Sequence, residues 1–366
     1  MSKNIKLLVL HNSPKDVVIS GEHMAAMESN VMLDKAGYII DTIDFSGSLV
    51  NASKAQTLLN NKIAEFEPDV LIVHRWFPHG SFINELSVPT LLIVHAYLPI
   101  CIAGTLVQGT QRCYKCVSGS AIHGVLNRCY QGSLWQSAVA GLLNGHQRNN
   151  GIIRKADMVA FPSRRTQKVF LEKIPDISQQ TTVLPLAVKV PDQPVKPMSE
   201  RSGFVFVGQI ESYKGIDALV DAWPDDVELT IIGSGSLQDR IAQQVNQTPN
   251  ISFVGRKSRD EVYEAVGRSK ALIFPSKMPE TFGRVFAEAC ATGTWTIALA
   301  DTTVADEISR LGVGSIGHSI AELPELAAGL SDYDPNLVRK VYDSNYSEQI
   351  WTQSISTLID ALLDGD

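Results

Sequence analysis

The chain has 366 residues, of which 44% are hydrophobic and 19% are charged. This length exceeds what a single hydrophobic core usually fills and suits two domains of ordinary size. The composition excludes a fibrous or disordered chain, and a net charge of −7 argues against general nucleic-acid binding. No apolar run approaches the ~20 residues of a membrane-spanning helix, and the first ten residues lack the features of a signal peptide. We therefore predict a cytoplasmic protein.

The N-terminal half alternates short apolar segments with helical ones. Strands are predicted at Ile5–Leu10, Ile39–Ile43, Val70–Val73 and Thr90–Val94. A helix is predicted from Glu22 to Ala36, and the residues on its apolar face are Met24, Met27, Val31 and Met32. This alternation is typical of βαβ units around a parallel sheet, and continuous apolar runs suit strands buried on both faces.

A second set of strands follows a polar, proline-broken segment. That segment, Lys189–Ser202, has the composition of an interdomain linker. The strands are predicted at Phe204–Gly208, Leu229–Ile232, Ile251–Val254, Ala271–Phe274 and Thr296–Leu299. The tail from Tyr346 to Leu363 has apolar residues at helical spacing and is predicted to be a packing helix.

These patterns predict three parts of the chain. The first is an N-terminal domain over residues 1–190, and the second is a C-terminal domain over residues 191–345. The third is a terminal helix over residues 346–366, which we expect to pack back on the N-terminal domain.

The most informative motif is the segment Pro279–Ala289, PETFGRVFAEA. It follows a predicted strand, carries Glu280 in a loop, and begins a helix near Gly283 on which Glu288 lies about two turns along. Backbone N–H groups at a helix start, together with the helix dipole, favour an anion. The segment therefore suits a ligand with a phosphate and several hydroxyl groups. The alternative is a pair of solvated glutamates on a surface helix.

This segment resembles the E-x7-E motif of family four of the retaining glycosyltransferases, which have the GT-B fold. The other elements that resemble the family are Gly208-Gln209-Ile210 with Lys214-Gly215, Ile232–Gly235, Ser20–Glu22, Phe66–His74 and His95–Tyr97. The resemblance covers nearly the whole chain. It implies an α/β protein whose two Rossmann-like domains face a cleft, with the acceptor bound by the N-terminal domain and the donor by the C-terminal domain.

The resemblance also implies roles for single residues. Glu288 would bind the donor ribose and Glu280 the transferred sugar, whereas Lys214 would neutralise the diphosphate and His95 would face the sugar. The catalytic residues implied are thus Glu280, Lys214 and His95. The donor-binding residues implied are Gly21, Gly208, Gln209, Gly233, Arg256, Phe282, Gly283, Arg284 and Glu288.

The chain departs from the resembled family at two places. Gln209 stands where the family usually has arginine, and Asp301–Val304 stands where it tends to have paired glycines. The first change removes one charge that would face the diphosphate, and the second alters how closely the backbone can approach the donor sugar.

The implied reaction is transfer of a sugar from a nucleoside diphosphate sugar to a hydroxyl acceptor. The anomeric configuration would be retained, no cofactor would be required for catalysis, and the product would belong to polysaccharide or glycolipid assembly. Two alternatives stay open. One is a nucleotide-sugar-binding protein that has lost catalysis, suggested by Gln209 and the missing glycines. The other is a GT-B nucleotide-sugar epimerase, although the added acid–base carboxylates of such an enzyme are not identified.

Four of the five cysteines fall in one segment, at Cys101, Cys113, Cys116 and Cys129. Four thiolates can bind zinc tetrahedrally, and a reducing cytosol favours a metal over disulfides. Structural zinc sites usually show two close pairs, whereas this segment has a single Cys-x-x-Cys. A structural zinc and free thiols are therefore both open.

The same region is strongly basic. Between Arg112 and Lys168 there are nine basic residues and one acid, Asp157, so this segment carries +8 and the rest of the chain −15. It includes the apolar stretch Leu134–Leu143. One interpretation is a solvated helical face over ordinary core packing. The other is a surface for an anionic or lipid-linked acceptor, with peripheral contact at the inner face of a membrane.

Overall fold

The computed structural model describes residues 4–11, 21–44, 52–74, 86–191 and 193–365. Up to residue 187 the elements are, in chain order, β1 (Lys6–His11), α1 (Gly21–Lys35), β2 (Ile39–Asp44), α2 (Ala52–Phe66), β3 (Val70–His74), β4 (Thr90–Ile93), β5 (Val107–Gln108), β6 (Gln111–Arg112), α3 (Lys115–Ser118), α4 (Ile122–Leu126), α5 (Leu134–Asn150), α6 (Ile152–Lys155), β7 (Met158–Phe161), α7 (Arg164–Lys173) and β8 (Thr181–Val183).

The remaining elements are β9 (Phe204–Val207), α8 (Ile216–Ala222), β10 (Leu229–Ile232), α9 (Gln238–Val245), β11 (Ile251–Phe253), α10 (Arg259–Arg268), β12 (Ala271–Phe274), α11 (Arg284–Ala291), β13 (Trp295–Leu299), α12 (Thr303–Leu311), β14 (Gly314–Gly317), α13 (Glu322–Ala328), α14 (Pro335–Asn345) and α15 (Glu348–Asp364). Every predicted strand is present to within one or two residues. The short strands β7, β8 and β14 and the hairpin β5–β6 were not predicted.

The chain divides into two compact units. The first unit contains residues 1–106, 113–187 and 348–366. The second unit contains residues 188–347 together with residues 107–112, which form the β5–β6 hairpin. A short piece of the N-terminal half therefore belongs structurally with the C-terminal half.

The first unit is built on a parallel sheet with the strand order β2-β1-β3-β4-β7-β8. Its central strands β3 and β4 are buried along their whole length, as expected when helices cover both faces of a parallel sheet. One face packs in a cluster with Leu59 of α2 and Phe170 of α7, and the opposite face packs in a cluster with Leu33 of α1. The order reverses between β1 and β3, which are neighbours although β2 lies between them in sequence.

The C-terminal helix α15 packs on the same face of the first sheet as Leu33 of α1. Its residues Trp351, Ile355 and Ile359 are buried in the same cluster as Leu7 of β1. The Tyr38 hydroxyl donates a hydrogen bond to Ser356 Oγ at 2.9 Å. The last helix of the chain is thus part of the core of the first unit.

The predicted apolar face of α1 is wrong in part. Met32 is buried, but Met27 and Val31 are exposed, and the side chain of Met24 lies outside the described part of the structure. The helix instead turns Ala25, Ala26, Ser29 and Leu33 inward. Small residues let the helix approach the sheet closely, so burial follows the packing and not the largest apolar side chains.

The second unit is built on a parallel sheet with the strand order β11-β10-β9-β12-β13-β14. This is the order of a doubly wound Rossmann fold, in which the sheet is built outward in both directions from a central pair. Here the central pair is β9 and β12, which are joined between Phe204 and Ala271 and between Val205 and Leu272. Ligands of such sheets bind at the carboxyl ends of the strands, where the order reverses.

The proline-broken segment 189–202 is packed on the second unit. The Tyr263 hydroxyl donates to Lys189 O at 2.6 Å. The buried Arg201 guanidinium donates to Thr292 O at 2.8 Å and to Thr294 Oγ1 at 2.7 Å. These bonds fix the segment along the unit, so its linker-like composition does not make it a free linker.

Candidate functional site

The candidate site lies at the carboxyl ends of β9 and β12, where the strand order of the second unit reverses. The loop after β9 leads through Gly208 to Lys214, and the loop after β12 leads to Glu280. Lys214 Nζ lies 2.5 Å from Glu280 Oε1, and both side chains are mostly buried. This ion pair joins the two loops across the reversal point, where doubly wound sheets bind ligands.

The second carboxylate of the motif lies on α11. Glu288 is buried, and its Oε1 accepts a hydrogen bond from Arg284 Nε at 3.3 Å, one helical turn earlier. Helix α11 begins directly after the loop that carries Glu280. The structure thus places Glu280, Lys214, Arg284 and Glu288 around the start of one helix, as two cation–carboxylate pairs.

Two glycines allow segments around the candidate site to approach each other closely. Gly233, after β10, has φ of 149°, and a Cβ there would overlap the carbonyl oxygen of Gly208. Gly283, the N-cap of α11, has φ of 89°, and a Cβ there would overlap Val304. Both positions need glycine because other residues rarely adopt positive φ and neither has room for a side chain.

The remaining donor-binding residues predicted from the sequence differ in their surroundings. Gln209 Oε1 accepts a hydrogen bond from the Tyr213 hydroxyl at 2.9 Å. Phe282 is buried, with its ring edge-on to Tyr346 at 5.6 Å between centroids. Arg256 is exposed after the edge strand β11, which β10 separates from β9.

Tyr213 stays protonated beside the ion pair. Burial, and then the nearby Glu211 and Glu280, raise the pKa of its hydroxyl. A protonated hydroxyl can donate only one hydrogen bond, and Gln209 receives it. The Gln209 side chain is therefore oriented by a neighbouring tyrosine.

Arg112 is the residue at this site that sequence reasoning missed. It belongs to the 107–112 hairpin of the second unit. Its Nε donates to Lys277 O at 2.9 Å, its Nη2 donates to Ala300 O at 2.7 Å, and its Nη1 lies 3.6 Å from Asp301 Oδ2. Arg112 thus fastens the loops that follow β12 and β13. No local signal could have shown this, because its partners lie at least 165 residues away in sequence.

The loop that departs from the resembled family is itself well anchored. Thr302 caps α12 by accepting from Ala305 N at 3.1 Å, and Thr303 Oγ1 donates to the carbonyl oxygen of Glu280. The segment 301–304 therefore holds the loop of Glu280 in place through side chains that glycines would lack.

The first unit carries a chain of hydrogen bonds between buried polar side chains. His74 ends β3 and His95 follows β4, and both are buried. His74 Nδ1 lies 3.1 Å from His95 Nε2, and His74 Nε2 lies 3.2 Å from Ser29 Oγ. The Ser29 hydroxyl donates its proton to Ala26 O at 2.7 Å.

These contacts assign the tautomers of the pair. Because the hydroxyl proton of Ser29 goes to the backbone, His74 Nε2 must donate to Ser29 Oγ. Burial, and then His95 and His11, hold the pKa of His74 well below its usual value, so this imidazole is neutral. Its Nδ1 is then an acceptor, and His95 Nε2 donates to it. His95 is therefore oriented by a neutral histidine behind it.

The start of α1 is the other glycine-bearing element predicted from the sequence. Gly21 is the first residue of α1, and its surroundings lie outside the described part of the structure. Ser20 lies outside the described residues. The role of Gly21 in donor binding stays a prediction.

The zinc site predicted as an alternative is not supported. Within residues 4–11, 21–44, 52–74, 86–191 and 193–365, no group of three or more His, Cys, Asp or Glu side chains is arranged to hold a metal ion. None of the five cysteines, all within the described ranges, forms a disulfide. Burial raises the pKa of the Cys101 thiol, although backbone N–H groups of its own loop oppose the shift. Burial, and then the other three thiols of the segment, raise the pKa of Cys129.

Comparison with known proteins agrees with the geometry of the second unit. Residues 192–323 match the family described as glycosyl transferases group 1. These residues contain the β9 and β12 loops, both carboxylates and Lys214, so the match covers the candidate site of the second unit.

Two curated relatives match shorter stretches. An uncharacterized glycosyltransferase of Methanocaldococcus jannaschii, MJ1178, is 38% identical over 97 residues, which are 26% of this chain and 27% of that protein. The D-rhamnosyltransferase WbpZ of Pseudomonas aeruginosa is 33% identical over 94 residues, which are 25% of each chain. The matches span only about a quarter of the length of these relatives.

A solved structure extends the comparison to the whole fold. The structure of Anabaena HepE in complex with UDP has a TM-score of 0.67, covers 98% of this chain and 100% of its own, and is 14% identical. With two Rossmann-like units, each built on a parallel sheet, the fold is the GT-B fold, as predicted. None of the helices in the described ranges is both long and apolar enough to cross a membrane.

The buried histidine pair makes stability depend on pH in a defined window. The pKa of His74 is lower in the folded protein than its value of 6.5 in the unfolded chain. As the pH falls below about 6.5, the unfolded state therefore gains a proton first. We expect stability to be complete above about pH 7 and to fall by up to about 1.4 kcal/mol per pH unit below 6.5.

Thermal melts of the wild type and of His74→Gln between about pH 5 and pH 8 check this. Glutamine can still donate to Ser29 and accept from His95, but it does not titrate. The variant should show a shallower loss of melting temperature below pH 6.5, and equal slopes would contradict the prediction. The other histidines are common to both proteins and cancel in the comparison.

Proposed function

We propose that this protein is a retaining glycosyltransferase that moves a sugar from a nucleoside diphosphate sugar to a hydroxyl acceptor. The observation that carries the proposal is the Lys214–Glu280 ion pair at the β9–β12 reversal, beside the Arg284–Glu288 pair at the start of α11. Two carboxylates offer acceptors for hydroxyl groups, and Lys214 with the helix start offers charge for a diphosphate.

The ion pair supports a specific sequence of events on donor binding. Diphosphate oxygens would replace Glu280 as the partner of Lys214, and Glu280 would turn its oxygens to hydroxyls of the transferred sugar. Negative charge on the diphosphate grows as the glycosidic bond breaks, so Lys214 would stabilise the transition state more than the bound donor. Because Lys214 and the backbone N–H groups carry this charge, the proposal requires no catalytic cofactor.

The ribose would lie at Glu288. This carboxylate is buried and is held by Arg284, so its geometry is fixed before a ligand arrives. A carboxylate that accepts from two neighbouring hydroxyls makes charge-assisted hydrogen bonds, which are stronger than neutral ones. The second unit would thus bind the donor, and the first unit would bind the acceptor.

The comparisons support a nucleotide-sugar donor. HepE has been crystallised with UDP and with UDP-glucose. WbpZ is named as a D-rhamnosyltransferase, which is an enzyme that transfers a sugar. We further propose that the acceptor is a hydroxyl of a growing polysaccharide or glycolipid, either lipid-linked or anionic. Five cysteines without a disulfide are typical of a reducing compartment, so we place the reaction in the cytoplasm.

Turnover and stereochemistry test the proposal directly. The full-length protein is incubated with a panel of nucleoside diphosphate sugars and hydroxyl acceptors, and the product is followed by NMR. We expect release of nucleoside diphosphate and a first-formed product with the anomeric configuration of the donor. Tight nucleotide binding without any release would favour an inactive binding protein, an epimerised donor would favour an epimerase, and an inverted product would exclude retention.

Glu288→Gln should weaken the binding of the nucleoside diphosphate. Loss of charge-assisted bonds worth about 1.5–3 kcal/mol corresponds to a dissociation constant about 10- to 150-fold higher. Calorimetry with UDP and with GDP measures the change. The matched control is Glu264→Gln, an exposed carboxylate on α10 that pairs with Arg268 at the same helical spacing. Equal affinities for Glu288→Gln and the wild type would remove Glu288 from the site.

Lys214→Ala should lower kcat more than it weakens donor binding. Removing a charge that acts on the leaving group reduces kcat by about 10²–10³-fold, whereas KM should change by much less. Steady-state kinetics separates the two effects. Lys257→Ala, which removes an exposed lysine paired with Glu261, should leave both parameters unchanged. A raised KM with an unchanged kcat would contradict the prediction, because Lys214 would then bind the donor and the transition state equally.

A further inference from the structure

Helix α5 in the first unit has its large apolar side chains on the outside. Trp135 and Leu142 are each 76% exposed, and Leu134 and Val139 are also exposed. Trp135, Val139 and Leu142 are spaced four and three residues apart, which places them on one stripe of the helix. An ordinary surface helix shows the opposite arrangement, with its apolar stripe against the core.

The buried side of α5 explains this orientation. Ser137 is completely buried, and its hydroxyl accepts from Tyr130 N at 2.9 Å. A Cβ at Gly141 would lie 3.1 Å from Val125 and 3.3 Å from Ile102, so the helix backbone runs close against these side chains. A rotation that buried Trp135 would place an indole where only glycine and serine fit. The apolar stripe therefore has to face outward.

The neighbouring helix α4 adds to the same kind of surface. Ile122 is 65% exposed and Leu126 is 71% exposed, four residues apart on one face. Val125, between them, points toward Gly141 of α5. We call these exposed apolar residues of the two packed helices the α4–α5 surface: Ile122, Leu126, Leu134, Trp135, Val139 and Leu142. Single exposed apolar residues need no explanation, but a group on two adjoining helices indicates an interaction site.

The charge around the α4–α5 surface indicates which partner it fits. No Asp or Glu occurs between Glu85 and Asp157, although the chain has 39 acidic residues. Exposed Lys115 begins α3, and exposed Arg128 lies just after α4. The surface is thus apolar with a cationic border.

We propose that the α4–α5 surface docks on a bilayer of anionic phospholipids. Such a bilayer offers both complements at once, because its headgroups pair with cations and its acyl boundary accepts Trp and Leu side chains. A second copy of the chain fits less well, since it would bring like charges together around the apolar contact. The proposal does not depend on the sugar-transfer function, because it rests on exposure and charge in the first unit alone.

Sedimentation with lipid vesicles tests the proposal. The full chain is mixed with vesicles of phosphatidylcholine, alone or with phosphatidylglycerol, at about 0.05 M and about 0.5 M salt. We expect binding to the anionic vesicles at low salt, weaker binding at high salt, and little binding to the neutral vesicles. Absent binding at low salt, or equal binding to both lipids, would overturn the proposal.

Two double variants locate the contact. Trp135→Ser with Leu142→Ser should reduce binding to anionic vesicles by at least about tenfold, because both insertions are lost. Lys115→Gln with Arg128→Gln should reduce it by about 30-fold, from about fivefold per charge. The matched control is Leu337→Ser, which changes a 56% exposed leucine on α14 of the second unit and should bind as the wild type does.

Folding and self-association are measured on the same samples. All four substituted residues of the two double variants are exposed, so melting temperatures should stay close to that of the wild type. Light scattering reports the oligomeric state. The proposal fails if either double variant binds vesicles as the wild type does. It also fails if the wild type ignores vesicles but forms a dimer that Trp135→Ser with Leu142→Ser dissociates, because the surface would then join two copies.

Discussion

The ion pair between Lys214 and Glu280 lies where the strand order of the second sheet reverses, and the surrounding loops are arranged about it. Two opposite charges held largely away from water are favourable only when each finds its partner, because desolvation opposes burial of either one alone. On the function proposed above, a ligand that enters here would offer a negative group to Lys214 and hydroxyl groups to Glu280 together. A nucleoside diphosphate sugar has both.

The loops that carry this pair are fixed by contacts from distant parts of the chain. Arg112, from the hairpin of residues 107–112, bonds the carbonyl oxygens of Lys277 and Ala300. Thr303 bonds the carbonyl oxygen of Glu280. Side chains thus hold these loops in place, which favours a site formed before the ligand binds. Preorganised charge of this kind is what stabilises a departing diphosphate most effectively.

Sequence patterns predicted most strands of both sheets because buried parallel strands are continuous apolar runs, as in Ala271–Phe274, although β7 and β14 were missed. The short edge strand Thr181–Val183 was missed because it is polar and has no such run. On α1 the exposed Met27 and Val31 show the limit of apolar periodicity, since close packing through small residues sets which face is buried. The E-x7-E segment located Glu280 and Glu288, but the contacts of Arg112 span 165 residues or more, and no local pattern encodes them.

The basic segment between Arg112 and Lys168 is divided by the fold into groups with different partners. Arg112 is bound within the second unit and pairs with Asp301, so its charge holds the loops that follow β12 and β13 and is partly neutralised there. Lys115 and Arg128 belong to the first unit and are exposed, so their charge faces solvent or a partner. The net charge of +8 on this segment therefore does not form one continuous electrostatic field. Attraction to an anionic surface depends on the cations of the first unit, which border the helices whose apolar side chains point outward.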